Sequence, residues 1–115
     1  MPRPRLLRNV YLTPGVTYFK PAGVRMVDLE EVVLTVEEFE AIRLKDVMGL
    51  NEVGAAKKMR ISQPTFNRMI SLARKTLADA VVNGKAIRIE GGSFRFVGRT
   101  RSFKYNNKKN RSDSR

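Results

Sequence analysis

The sequence predicts a mainly α fold, a helix-turn-helix within a three-helix core, followed by a small β-hairpin after the last long helix. Three observations carry the prediction. Apolar residues recur three and four apart through residues 36–82, helix-capping residues stand at Thr35, Asn51 and Ser62, and the apolar spacing switches to period two after Gly84.

Residues 1–12 are basic, with scattered apolar positions at Leu6, Leu7, Val10 and Leu12, and are bounded by Pro2, Pro4 and the Pro14-Gly15 turn. They read as an arm, which either reaches along a DNA minor groove or is a frayed terminus. Residues 16–19 suit a short strand stopped by Lys20-Pro21. Residues 24–33 have a weak helical tendency.

Thr35, with Glu38 three residues on and Leu34 before it, forms a capping box that opens the clearest helix. Its buried side is expected to be Val36, Phe39 and Ile42, with part of the Ala41, Leu44 and Val47 side, and Gly49 stops it. Glu37, Glu38 and Glu40 sit at its positive N-terminal end, each contributing about 0.3–1 kcal/mol. The acidic groups here, including Glu30, Glu31 and Glu37, are expected to be solvated or to cap, and they keep this supporting helix away from phosphate.

Residues 50–71, LNEVGAAKKMRISQPTFNRMIS, describe two helices meeting at a sharp turn. Asn51 caps the first, whose buried side is expected to be Val53, Ala56 and Met59, with Lys57 and Lys58 opposite. Ala55 and Ala56 allow the second helix to cross closely. The chain turns at Arg60-Ile61, with Ile61 as a plug, and restarts at Ser62, whose hydroxyl suits the Thr65 amide. Pro64 fits that first turn. The second helix buries Phe66, Met69, Ile70 and Ala73, continues through Leu77 to about Val82, and ends at Asn83-Gly84.

Gln63, Thr65, Asn67, Arg68 and Ser71 fall on the outward side of this second helix. They are side chains of the kind that read base edges in a major groove, where Asn and Gln suit adenine and Arg suits guanine. Asn51, Lys57, Lys58, Arg60, Ser62, Arg74 and Lys75 are the expected phosphate contacts. A helical hairpin with merely solvated polar residues is the plain alternative.

After Gly84, Ile87 and Ile89 alternate with Arg88 and Glu90, and Phe94 and Phe96 flank Arg95 around Gly91-Gly92. This reads as a hairpin, either structural or a wing against the minor groove. Residues 98–115, GRTRSFKYNNKKNRSDSR, are polar, basic and poor in aliphatics, and are expected to be a disordered tail. Phe103 and Tyr105 offer stacking on bases, and a solubilising role is the alternative. The chain thus divides into a basic arm and extended segment (1–27), the helical domain with its hairpin (28–97) and a basic tail (98–115).

The 115 residues suffice for one modest core. Net charge is +12, and residues 28–52 hold eight of the eleven acidic groups. A basic surface separated from an acidic one suits a polyanion, because each cation that neutralises a phosphate releases a condensed counterion. No stretch approaches the roughly 18 apolar residues of a membrane span, and no apolar signal core stands at the N-terminus, so a cytoplasmic location is expected. With neither Cys nor His, disulfides, thiolate or imidazole metal sites and His-based acid–base chemistry are excluded. No enzyme, cofactor or metal is expected.

Four separated blocks carry a resemblance: YFKPAG (residues 18–23), LEEVVLTVEEFEAIRL (29–44), ISQPTFNRMISLARK (61–75) and NGKAIRIEGG (83–92). In them the chain resembles a family of uncharacterised archaeal and bacterial proteins described as DNA-binding, with a helix-turn-helix similar to region 4 of sigma factors. The resemblance runs from about Arg5 to Gly92. It implies a sigma region 4-like fold. Relatives usually carry Gly at the position of Arg60, a site that often needs positive φ, where a side chain costs of order 1 kcal/mol. Many also carry Cys near Val10 and Tyr11, so redox or metal sensing proposed for them cannot operate in this chain.

The expected function is sequence-selective binding of double-stranded DNA, as a transcription regulator. A homodimer on a two-fold site is expected to pair through Leu77, Ala80 and Val81 or the hairpin. Two alternatives remain: an adaptor docking its acidic helix on RNA polymerase or another regulator, and a nonspecific nucleic-acid coater driven by arm and tail.

Overall fold

Strands β1 (Arg8–Thr13) and β5 (Phe94–Ser102) lie side by side and parallel, so the two ends of the described chain are zipped together. The structure is a computed structural model that describes residues 7–102. A second sheet, ordered β2-β4-β3, is formed by β2 (Tyr18–Phe19), β3 (Glu31–Leu34) and β4 (Ala86–Ile89). β4 is antiparallel to β2 and parallel to β3. A parallel pair requires a long crossover, and here it contains all three helices: α1 (Val36–Ile42), α2 (Glu52–Met59) and α3 (Gln63–Asn83).

The caps form as the residue types dictate. Thr35 Oγ1 accepts the Glu38 N–H at 3.2 Å, and Glu38 Oε1 accepts the Thr35 N–H at 2.9 Å. Asn51 Oδ1 accepts from Gly54, and Ser62 Oγ from Thr65. α1 then widens into a π-helical turn over Arg43–Val47, marked by the Met48 N–H donating to the Arg43 carbonyl five residues back. The wider turn rotates Val47 off the apolar stripe, leaving it 74% exposed where burial was expected.

α2 buries Ala55, Ala56 and Met59, while Val53 is 59% exposed. At 3.6 residues per turn, the buried stripe centres about 120° away from Val53, which corrects the face expected for this helix. Its end is a Schellman motif: Arg60 N–H donates to the Lys57 carbonyl and Ile61 N–H to that of Ala56. Arg60 has φ 59° and ψ 47°, the left-handed conformation expected from the resemblance. Gly84, also left-handed, ends α3.

Two apolar clusters hold these elements together. One comprises Ala41, Leu44, Ala55, Ala56, Met59, Phe66 and Ile70, with Ile61 and Met69 packed at its edge. The other joins Val10, Leu34, Val36, Ala73 and Ile89. Ile42 packs on both, and α3 contributes to both, so helices and sheets share one continuous interior.

The mainly α expectation is overturned. Among the described residues, five strands in two sheets pack with the helices, the fold is a small α/β arrangement, and the three-helix helix-turn-helix core with an appended hairpin is not the architecture formed. The two period-two runs are strands, yet they do not pair with each other. Gly91-Gly92 is not a hairpin turn: the Gly91 carbonyl accepts the Val36 N–H at 3.0 Å, and the Ser93 N–H donates to Glu37 Oε1 at 2.9 Å. The glycine pair is thereby seated on the start of α1, and β5 is delivered to β1 instead.

Three further expectations change. The arm is a strand from Arg8, with Val10 fully buried, while residues 1–6 lie outside the described residues. Residues 24–33 contain a short 3-10 turn, Met26–Asp28, and the start of β3 rather than a helix. Residues 98–102 of the expected tail belong to β5, and residues 103–115, with Phe103 and Tyr105, lie outside the described residues.

Candidate nucleic-acid interface

The outward face of α3 gathers Gln63, Asn67, Ser71, Arg74, Lys75 and Arg68 within about 140° of arc at 3.6 residues per turn. All six are exposed. Phe66, Ile70 and Ala73, centred about 120° around the helix from them, are buried, which fixes the rotation of the helix and keeps this face outward. Asn67, Arg68, Ser71, Leu72 and Lys75 line one shallow depression of about 500 Å³ on that surface.

Several of the sequence-predicted residues have structural employment. Asn51 and Ser62 use their side-chain oxygens as caps. Thr65 is only partly exposed, and its Oγ1 lies 2.9 Å from Ser62 Oγ and accepts from Arg68 Nη2 at 3.3 Å, so it steadies the first turn and Arg68 together. Lys58 Nζ sits 4.7 Å from the centroid of the Tyr11 ring, a cation–π contact that links α2 to β1. Arg74 is held by Asp46 of the π-helical turn through two bonds, at 2.6 and 3.1 Å. This pair holds the Asp46 carboxyl below its ordinary range, first through the hydrogen bond and then through the neighbouring positive charge.

The acidic segment is spent internally. Glu40 is fully buried, taking Arg43 Nε and Nη2 at 2.8 Å each and the Tyr11 N–H at 2.9 Å. Glu37 and Glu38 are also buried, bound to Ser93 and Thr35. Glu38 caps the helix as expected, whereas Glu37, expected to be solvated, is buried against Ser93; Glu30 remains exposed. Glu31 pairs with Arg88 at 2.9 Å, and Lys85 with Asp79 at 3.0 Å.

Most carboxylates being so paired, the uncompensated charge collects elsewhere. Among the described residues, seven cations are exposed and form no salt bridge: Lys20, Lys57, Lys58, Arg60, Arg68, Lys75 and Arg95. Five of the seven lie on α2, α3 or the turn between them; Lys20 follows β2 and Arg95 is on β5. Sequence reading missed Asp46 as the partner of Arg74, because a contact across 28 residues leaves no periodic signal.

No group of His, Cys, Asp and Glu fit to hold a metal occurs among the described residues, and none of their helices is long and apolar enough to cross a membrane.

Fold and surface together define a small α/β protein that presents a basic two-helix face. The chain belongs to the family described as "Protein of unknown function DUF134", which it matches over residues 1–97. It is 59% identical over 98 residues to a UPF0251 protein of Moorella thermoacetica, an alignment covering 85% of this chain and 66% of that one. A UPF0251 protein of Caldanaerobacter subterraneus is 57% identical over 98 residues, covering 85% and 83%. One from Dehalococcoides mccartyi is 54% identical over 94 residues, covering 82% and 80%. No solved structure matches the chain.

Proposed function

We propose that this protein binds double-stranded DNA sequence-selectively, as a cytoplasmic transcription regulator, by laying the outward face of α3 in a major groove. The carrying observation is the coincidence of five of the seven exposed cations that form no salt bridge with the exposed Gln63, Asn67 and Ser71 on α2, α3 and the turn between them. Cations beside hydrogen-bonding side chains supply the two components of groove recognition, phosphate attraction and base-edge contacts.

In this reading Asn67 and Arg68 carry most of the discrimination, each bidentate base contact contributing about 1–3 kcal/mol. Lys57, Lys58, Arg60 and Lys75 hold the backbone. Asn51, Ser62 and Thr65 act indirectly, by fixing the helix starts. Arg74 reaches a phosphate only by leaving or sharing Asp46.

One reader covers few base pairs, so the reading includes a homodimer on an inverted repeat. Ala80 is buried and Leu77 partly so, which moves the candidate contact to the exposed Ala78, Val81 and Val82. The adaptor alternative would need a surface other than the buried Glu37, Glu38 and Glu40.

Selection of random duplexes on the purified protein tests the reading, with enrichment of one inverted repeat as the expected result. The double variant Asn67→Ala/Arg68→Ala should then lose at least tenfold in affinity for the selected site. If affinity and its salt dependence both survive that change, α3 does not read DNA. Uniform binding of all duplexes, lost on removing residues 103–115, would point to nonspecific coating.

A further inference from the structure

An apolar cleft of about 370 Å³ opens among the end of β1 with the segment that follows it, α1 and the π-helical turn, walled by Leu12, Val16, Phe19, Phe39, Ile42 and Val47. It shares no residue with the depression on α3. One charged residue lines it, Arg43, and two of its guanidinium nitrogens are already bonded to Glu40. The charge is thus cancelled within the wall. A cleft that offers hydrocarbon and a neutralised ion pair disfavours a charged guest, which would surrender its hydration for no partner.

The π-helical turn is a second, independent observation. Such turns insert one extra residue and are found frequently at functional sites. Here the insertion leaves Val47 at the cleft 74% exposed, and Phe19, another lining residue, is 50% exposed. Apolar surface held open in this way gains by removal from water.

We propose that this cleft is a binding site for a neutral, apolar small molecule. Its volume lies toward the lower end of the ligand-pocket range of about 300–1,000 Å³. Scaled from a 150 Å³ apolar cavity that holds benzene, it accommodates roughly fifteen non-hydrogen atoms. The concave shape, bounded by three chain segments, suits an enclosed molecule better than the broad face of a second copy, which needs about 800 Å² per partner. The site is separate from the proposed DNA surface, and its test does not depend on DNA.

The full chain is titrated with N-phenyl-1-naphthylamine, a neutral fluorophore that brightens in apolar surroundings. The expected result is a saturable rise with one site per chain, accompanied by NMR shifts of the Val16, Ile42 and Val47 methyl groups. Val47→Trp and Val16→Phe, which narrow the cleft from its exposed rim and from its wall, should each weaken binding at least tenfold. Val27→Asp, on the exposed 3-10 turn, should leave binding unchanged. The proposal is overturned by emission that never saturates, by methyl shifts confined to residues outside the cleft, or by binding that follows Val27→Asp instead. It is equally overturned if the chain dimerises through this face, seen as a dimer that Val47→Trp dissociates.

Discussion

Glu40, fully buried on α1, accepts the backbone N–H of Tyr11 on β1 at 2.9 Å while both of its oxygens engage Arg43. One carboxylate therefore satisfies a strand amide and neutralises a cation at the junction of helix and sheet. Truncating one partner of a buried pair costs about 3–5 kcal/mol. Because the Arg43 side chain is 20% exposed, Glu40→Ala should fall near the lower end, about 3 kcal/mol, measured by urea unfolding. A loss under about 1 kcal/mol would show that the junction does not depend on this group.

Gly92 has φ 108°, and a Cβ there would overlap the Glu37 carboxylate. Gly91 has φ 75° with open space around it. Gly91→Ala should cost about 1 kcal/mol for the backbone alone, and Gly92→Ala clearly more, because strain and the loss of the Ser93–Glu37 bond add. Thermal unfolding of the two variants checks the order.

Arg60 stands where the Schellman turn needs positive φ. Arg60→Gly should stabilise the fold by up to about 1 kcal/mol, raising Tm by roughly 5 °C. On the proposed function, the same change removes one phosphate contact and lowers the salt slope of DNA binding by about one. Calorimetry and a salt titration on one variant separate the two effects.

Asp46 competes with any phosphate for Arg74. Asp46→Asn should weaken that hold and leave Arg74 available to DNA, so affinity at low salt rises and the salt slope steepens by up to about one. An unchanged slope would leave Arg74 outside the interface.

Glu31, Asp46 and Asp79 are all held below the ordinary carboxylate range, Glu31 by Arg88 and then Tyr18, Asp46 by Arg74, and Asp79 by Asn83 and then Lys85. As pH falls, the unfolded chain takes up protons on these groups before the folded one does. Their contribution is therefore complete above the ordinary values of 4.5 for Glu and 3.8 for Asp and is lost progressively below them. Urea midpoints should be level between about pH 5 and 7 and fall below about pH 4. The Glu31→Gln/Asp46→Asn/Asp79→Asn variant should show a flatter decline.

The helices were legible because their signals are local. Caps at Thr35, Asn51 and Ser62, the stop at Gly84 and the spacing of Phe66, Ile70 and Ala73 each act within one or two turns. Val53 and Val47 were misplaced for the same reason: periodicity gives a stripe but not its centre, nor the extra residue of a π-helical turn. The strands at Ile87 and Phe94 are visible as alternation, but alternation names no partner, and by local pattern alone β1 reads as an arm and β3 as a weak helix.

The composition and order of residues by themselves determined the basic excess, the absence of thiol and imidazole chemistry, the helix starts and stops and the outward polar face of α3, since each follows from side-chain chemistry or short-range spacing. Only the tertiary structure decided that β5 pairs with β1, that Glu37, Glu38 and Glu40 lie inside, that Asp46 holds Arg74 and that an apolar cleft stays open beside the π-helical turn. These are contacts between segments far apart in the chain, where the gain from burying and pairing specific groups, rather than any local preference, selects the partner.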